Sequence, residues 1–146
     1  MEHRCGYLIS QIKTISDRLL DRILEEHEIQ AFSGAQGRVL DILWQKDNIP
    51  IRDIAKETGL SMPTLTGLLD RMEKAGLIRR MPDPADRRKV NIVLAEKTRE
   101  LEKDYRDVSE AMNSIFMQGF SDQEITELQA YLERILENLQ KKENDQ

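Results

Sequence analysis

The sequence predicts a mainly α fold: a small helical core holding one β-hairpin, flanked at both ends by longer amphipathic helices. Three observations predict it. Apolar residues recur at steps of three and four through most of the chain, the spacing of one helix face. Ser and Gly stand where helices would begin and end. One stretch around residues 77–94 breaks the helical period with two short β-patterned runs about a Pro- and Asp-rich turn. Composition agrees. Of 146 residues 34% are charged and 5% aromatic, with 7 Gly and 4 Pro, which disfavours a β-sandwich, a disordered tail or a membrane protein.

The elements follow in order. Residues 8–27 carry Leu8, Ile12, Ile15, Leu19 and Ile23 on one stripe, widened by Leu20 and Leu24. Ser33-Gly-Ala-Gln36 reads as a capping box, opening a short helix with Val39, Leu40, Ile42, Leu43 and Trp44. Lys46-Asp-Asn-Ile-Pro50 breaks the chain, and Pro50 suits the first turn of the next helix, where its missing N–H costs nothing. Ile51–Glu57 is a brief helix and Thr58-Gly59-Leu60 a tight turn. Ser61 caps a helix over 62–75, with Pro63 in its first turn and Leu65, Leu68, Leu69 and Met72 inward. Gly76 stops it.

Two strands are expected next, Leu77–Met81 and Val90–Leu94, with Val90, Ile92 and Leu94 alternating against Asn91 and Val93. Pro82–Arg88 has the chemistry of a hairpin tip. A long helix then runs from Ala95 to about Gln118, with Leu101, Tyr105, Val108, Met112 and Ile115 on one face. At 24 residues it would be about 36 Å long. Ser121-Asp-Gln-Glu124 is a second capping box, before Ile125, Leu128, Leu132, Ile135 and Leu139. Lys141 onward reads as a polar tail.

Charge is the first functional clue. The chain has 22 basic and 27 acidic residues, net −5, which at face value argues against a nucleic-acid partner. Residues 76–89, however, hold five basic residues (Arg79, Arg80, Arg87, Arg88, Lys89) and two acidic (Asp83, Asp86), net +3, leaving −8 on the remaining 132. A basic strip on an acidic body limits the orientations in which a polyanion can approach.

The middle third gives that strip a context. Ala55, Gly59 and Leu65 occupy relative positions 5, 9 and 15 of a helix–turn–helix: a small residue where two helices meet, a Gly in the turn, an aliphatic locking the second helix. With the basic hairpin behind it, this is a winged helix–turn–helix core of three helices plus a β-hairpin wing. The outward face of the second helix is Pro63, Thr66, Gly67, Asp70 and Lys74, flanked by Thr64 and Arg71, with Ser61 at its start. Short side chains let such a helix sit deep in the major groove, and the absence of Asn, Gln and several Arg points to groove shape as a large part of the readout. Arg87 and Lys89 are placed to meet phosphates.

Residues 33–98 resemble the DNA-binding core of the multiple-antibiotic-resistance regulator (MarR) family. The resemblance rests on SGAQGRVLDIL, IRDIAKETGLSMPTLTGLLDRMEKAGLIRR and DPADRRKVNIVLAEK; the helix order extends it over nearly the whole chain. Its most specific piece is GLIRRMPDPADRRKVNIVL, with an Asp-x-Arg motif at Asp86-Arg87-Arg88. The resemblance implies a dimeric winged-helix transcription regulator, most often a repressor, released by a small molecule or an oxidant. It also implies that Arg88 enters the minor groove with Asp86 orienting its guanidinium. Ala95-Glu-Lys-Thr departs from the Leu-Thr-x-x-Gly common in the family and leaves the following helix poorly capped.

On this reading 1–146 is a single domain with a winged core at 33–94, and 1–30 and 95–141 are dimerisation helices, since the small core cannot cover their apolar stripes alone. A homodimer with recognition helices about 34 Å apart predicts a pseudo-palindromic double-stranded DNA operator. A winged helix used only as a protein-interaction module is the alternative. Phe32, Trp44, Tyr105 and Met112 are candidates for lining an effector pocket. Cys5, beside Arg4 and near Tyr7, is a candidate oxidant sensor. No metal site, cofactor motif or catalytic constellation is evident: Glu25-Glu26-His27-Glu28 point around a helix rather than at one ion, and no nucleophile has a base. No apolar run reaches the ~18 residues of a membrane span, no signal sequence precedes the first helix, and the one cysteine forms no internal disulfide, so the expected location is the cytoplasm.

Overall fold

A computed structural model describes residues 2–145 of the chain. It divides into two compact units, Met1–Ala111 and Met112–Gln146. Among the described residues no helix is long and apolar enough to cross a membrane.

The first unit begins with α1 (Cys5–Glu26), three residues ahead of its apolar stripe. Only the C-terminal half of that stripe is buried, at Leu20, Ile23 and Leu24, whereas Leu8, Ile12 and Ile15 are exposed. α2 (Gly34–Gln45) starts at the expected capping box: Ser33 Oγ accepts from the Gln36 N–H at 3.3 Å and Gln36 Oε1 accepts from the Ser33 N–H at 3.0 Å. Val39, Leu40 and Leu43 are fully buried and form the centre of the core with Ile54, Leu65, Leu69 and Met72. α3 (Ile51–Thr58) ends at Gly59, whose φ of 73° is the left-handed turn between the two helices of the motif. α4 (Met62–Lys74) is capped by Ser61, whose Oγ accepts from the Thr64 N–H. It closes in a Schellman motif, Leu77 N–H to Met72 C=O at 2.9 Å and Gly76 N–H to Glu73 C=O at 3.0 Å.

β2 (Ile78–Pro82) and β3 (Val90–Leu94) form the hairpin, in register Ile78 to Leu94 and Pro82 to Val90. The first strand lies one residue later than its apolar pattern suggests, because Leu77 is used in closing α4. A third strand, β1 (Ile49–Pro50), adds antiparallel to β3, giving the order β1-β3-β2. It corrects two expectations. Pro50 is the last strand residue and the N-cap of α3, not a residue inside that helix; a residue without an N–H is tolerated on an edge strand. Asn91 is buried rather than outward-facing, paired with Pro50 and donating through Nδ2 to Asn48 Oδ1 at 3.1 Å.

The expected long helix from Ala95 is also corrected. Glu96–Leu101 is a 3₁₀ segment, and α5 (Glu102–Phe116) follows it. Ala95 offers no side-chain cap. Instead Thr98 is fully buried, its Oγ1 donates to the Ala95 carbonyl at 2.5 Å, and its own carbonyl accepts from Trp44 Nε1 at 3.2 Å. Those bonds hold a tight three-residue turn, so no straight 24-residue rod exists here.

In the second unit, α5 ends at Phe116 and Gly119 turns the chain with φ 86°. Ser121 and Glu124 form the expected capping box for α6 (Asp122–Asn144). The helix includes residues read as a tail; Lys141 and Lys142 in its last turn complement the helix dipole. None of its residues is buried, and Tyr131, Leu132, Leu136 and Leu139 are exposed apolar groups.

Candidate nucleic-acid interface

The surface begins with what α4 keeps inside. Leu65, Leu68, Leu69 and Met72 point into the core, so Pro63, Thr64, Thr66, Asp70 and Arg71 are left on the exposed side, with Gly67 half-buried. Ser61 caps the helix, and its Oγ also donates to Thr64 Oγ1 at 3.0 Å. Thr66 is therefore the outward hydroxyl with no intramolecular partner among the described residues, whereas Thr64 is tied to the cap. The outward surface is low-relief, as a close approach to base edges requires.

The wing is organised from its tip. Asp83 N–H donates to the Lys89 carbonyl at 3.0 Å, Lys89 N–H to the Asp86 carbonyl at 3.0 Å, and Ala85 N–H to Asp83 Oδ1 at 2.8 Å. Asp86 Oδ1 accepts from the Arg88 backbone N–H at 3.0 Å and from its Nε at 3.2 Å. These bonds, the backbone one foremost, hold the Asp86 carboxyl below its ordinary range. The Arg88 side chain is nevertheless 91% exposed: its root is fixed while its head stays in solvent. Arg79, Arg87 and Lys89 are exposed and make no ion pair among the described residues.

Arg80 behaves differently. Arg80 binds Asp70 at 2.7 Å and Glu73 at 2.6 Å, both on α4. Asp83 is occupied with the turn. β-strand alternation explains the difference, because Arg80 lies on the same side of β2 as buried Ile78 and so faces the helices. The sequence marks both residues as basic; only the register of β2 separates them.

Of the candidate effector-pocket residues, Phe32, Trp44 and Tyr105 pack together. Phe32 and Tyr105 stack with ring centroids 6.1 Å apart, and Trp44 and Tyr105 at 5.6 Å. Burial pushes the Tyr105 hydroxyl pKa up. This is a packed aromatic cluster of tilted rings. Met112, in the second unit, is itself buried. A cavity of about 800 Å³ in the first unit is lined by Lys13, Asp17, Arg38, Asp41, Lys56 and Glu57 among others. Cys5 is exposed at the first turn of α1, and the Arg4 guanidinium sits 5.5 Å from the Tyr7 ring centroid. Among the described residues no cluster of His, Cys, Asp and Glu could hold a metal ion.

Two helices joined by a left-handed Gly turn, a third helix beneath them and a basic β-hairpin define a winged helix–turn–helix protein. The chain belongs to the MarR family. The family model matches residues 32–90. The chain is 31% identical over 137 residues to the HTH-type transcriptional regulator PecS of Dickeya dadantii, covering 90% of this chain and 79% of that one. It is 30% identical over 135 residues to the HTH-type transcriptional regulator MgrA of Staphylococcus aureus, with 92% and 88% covered. Among solved structures it is similar to the S. aureus MepR–DNA complex, with a TM-score of 0.79, 27% identity and 94% and 99% covered. It also shares the fold of a MarR cysteine mutant from E. coli complexed with operator DNA, with a TM-score of 0.78, 24% identity and 90% and 92% covered.

Proposed function

We propose that this DNA-binding transcription regulator is a homodimeric repressor that occupies a pseudo-palindromic operator. Thr66 and Gly67, with Pro63, Thr64, Arg71 and Ser61 around them, face the major groove; Arg88 enters the minor groove from the wing; Arg87 and Lys89 meet phosphates. The observation that carries the reading is Arg88, rooted by Asp86 yet 91% exposed on the hairpin that follows the helix–turn–helix. A structural arginine would be paired along its length.

Exposed apolar residues at the start of α1 and along α6 support the dimer. Asp17 and Arg38, paired at 3.1 Å, stand in the wall of the 800 Å³ cavity. An effector entering there would loosen or tighten the α1–α2 junction, provided it binds the two arrangements with different affinity. The protein acts by occupancy in the cytoplasm, without catalysis.

Footprinting of the wild type and Arg88→Ala on the DNA upstream of the chain's own gene tests the reading. The wild type protects a two-fold-related site and Arg88→Ala loses the protection contributed by the wings. If a dimer neutralises 6–10 phosphates, affinity falls roughly 10³–10⁵ between 50 and 200 mM salt. A shallow salt slope, with Arg88→Ala behaving as the wild type, would leave a protein-interaction module as the function.

A further inference from the structure

The proposed surfaces on α4 and on the wing are joined by one side chain. Arg80 leaves β2 and forks across α4, with Nη2 2.7 Å from Asp70 Oδ1 and Nη1 2.6 Å from Glu73 Oε1. Its backbone N–H donates to Glu73 Oε2 at 3.3 Å, so Glu73 holds the strand by main chain and side chain together. The Arg80 side chain is only 24% exposed, far less than Arg88 on the same hairpin.

We infer that Arg80 is a positioning residue for sequence recognition: it sets the distance between the base-facing helix and the minor-groove wing, and masks negative charge on the helix face turned to DNA. The inference rests on the proposed reading of α4 and the wing as DNA-contacting surfaces. Three features argue for it. Asp70 and Glu73 are three residues apart, hence neighbours on one helix face. Asp70 is on the outward side, where a free carboxylate would repel phosphate, and the planar guanidinium engages both carboxylates through one rigid fork. Finally, β2 leads directly into the turn that carries Arg88, so a change in the angle between β2 and α4 displaces Arg88 relative to Thr66. Recognition by groove shape is sensitive to that displacement, because the wing must find the narrow groove while the helix sits in the wide one.

The charge effect and the positioning effect are separable. Arg80→Ala leaves two uncompensated carboxylates and releases the strand. The triple variant Arg80→Ala/Asp70→Asn/Glu73→Gln removes the repulsion but not the release. Binding is measured to the duplex enriched by the wild type from a randomised pool and to a scrambled duplex of the same composition. Arg80→Ala is expected to weaken both, the enriched duplex more, lowering the ratio of the two affinities by at least about tenfold. The triple variant recovers binding to the scrambled duplex while the ratio stays low. Recovery of the full ratio by the triple variant would reduce Arg80 to a charge mask and overturn the positioning role.

A distance measurement judges the clamp without DNA. Spin labels at Thr66→Cys and Ala85→Cys, in a Cys5→Ser background, report the separation of helix and wing. The distribution broadens in Arg80→Ala if the clamp sets that separation, and an unchanged distribution overturns it. Should Arg80→Ala fail to fold, Arg80→Lys, which keeps the charge and loses the fork, is read in the same two assays. If the wild type binds both duplexes equally, the DNA-reading proposal fails, and the spin-label distances still decide whether Arg80 holds the wing.

Discussion

Asp86 holds Arg88 by the backbone and by the side chain at once: one carboxylate oxygen accepts the Arg88 N–H at 3.0 Å and its Nε at 3.2 Å. The guanidinium is thereby aimed without being buried. Arg88→Ala is expected to leave the thermal unfolding midpoint unchanged and to weaken operator binding by about 10- to 100-fold, the range of one good DNA contact. Asp86→Ala keeps the Arg88 charge but loses its aim, so it weakens binding less and erodes sequence preference more. Anisotropy titrations against matched and scrambled duplexes measure both; equal losses for the two variants on both duplexes would show Arg88 acting only as a phosphate contact.

The same pair fixes a pH dependence. Asp86 has its pKa lowered by hydrogen bonding to Arg88. A carboxyl depressed on folding contributes stability that is fully present above its unfolded value and is lost as pH falls through the folded one. The wild-type to Arg88→Ala affinity ratio should therefore be flat between about pH 8 and 5 and shrink only below the ordinary aspartate range, near pH 4. Titrations at constant ionic strength check it. A ratio that already collapses between about pH 7 and 6 would point to a group other than Asp86.

Most of this architecture was legible in the chain because local signals and the global fold agree. Ser33, Ser61 and Ser121 cap helices where their side chains say they should, and Gly59 and Gly76 take the left-handed turns their positions imply. What was not legible depends on contacts distant in sequence. β1 is two residues long and contains Pro50, so it has no pattern of its own and exists only as a partner for β3. The 3₁₀ segment after Ala95 is set by Trp44, more than fifty residues upstream, which anchors the Thr98 carbonyl. In the proposed interface, Arg88 follows from the Asp-x-Arg motif, but Arg80 could not be told from Arg79 without the strand register. Sequence alone does not show that, among the effector-pocket candidates, Phe32 and Trp44 each pack against the Tyr105 ring.

Gly37 separates packing from propensity. A Cβ there would stand 2.7 Å from Tyr105 Cε1 and 3.1 Å from Phe32 Cδ2, inside the aromatic cluster. Overpacking a filled core costs about 1–3 kcal/mol, against about 1 kcal/mol regained from replacing Gly by Ala within a helix. Gly37→Ala is thus expected to be net destabilising by about 1 kcal/mol, lowering the midpoint by about 2–4 °C for a chain of this size. Differential scanning calorimetry gives the sign; a rise would mean that Tyr105 can move aside.

Gly67 should show the opposite balance. Its nearest neighbour to an added Cβ is the flexible end of Arg71, at 3.6 Å, so Gly67→Ala gains helix propensity with no clash and stabilises by up to about 1 kcal/mol. It also puts a methyl on the face proposed to enter the major groove. Higher thermal stability with weaker operator affinity is the expected pair of results. Higher stability with unchanged affinity would remove Gly67 from the interface.

The apolar residues left uncovered give the last expectation. Ile12 is 50% exposed on α1 and Leu132 47% on α6, values atypical for large aliphatics on a surface with nothing to pack against. If a second copy covers them, a buried carboxylate at either position has no partner and must be desolvated. Ile12→Glu and Leu132→Glu are therefore expected to convert the dimer to a monomer in sedimentation equilibrium without unfolding it, since neither side chain belongs to the buried core. Binding to a half-site should survive in the monomer. Binding to the full site should fall by about 10²–10⁴, the gain that linking two recognition modules provides. A wild type that sediments as a monomer, or a Glu variant that remains dimeric with full affinity, would mean that the exposed stripes on α1 and α6 serve another contact.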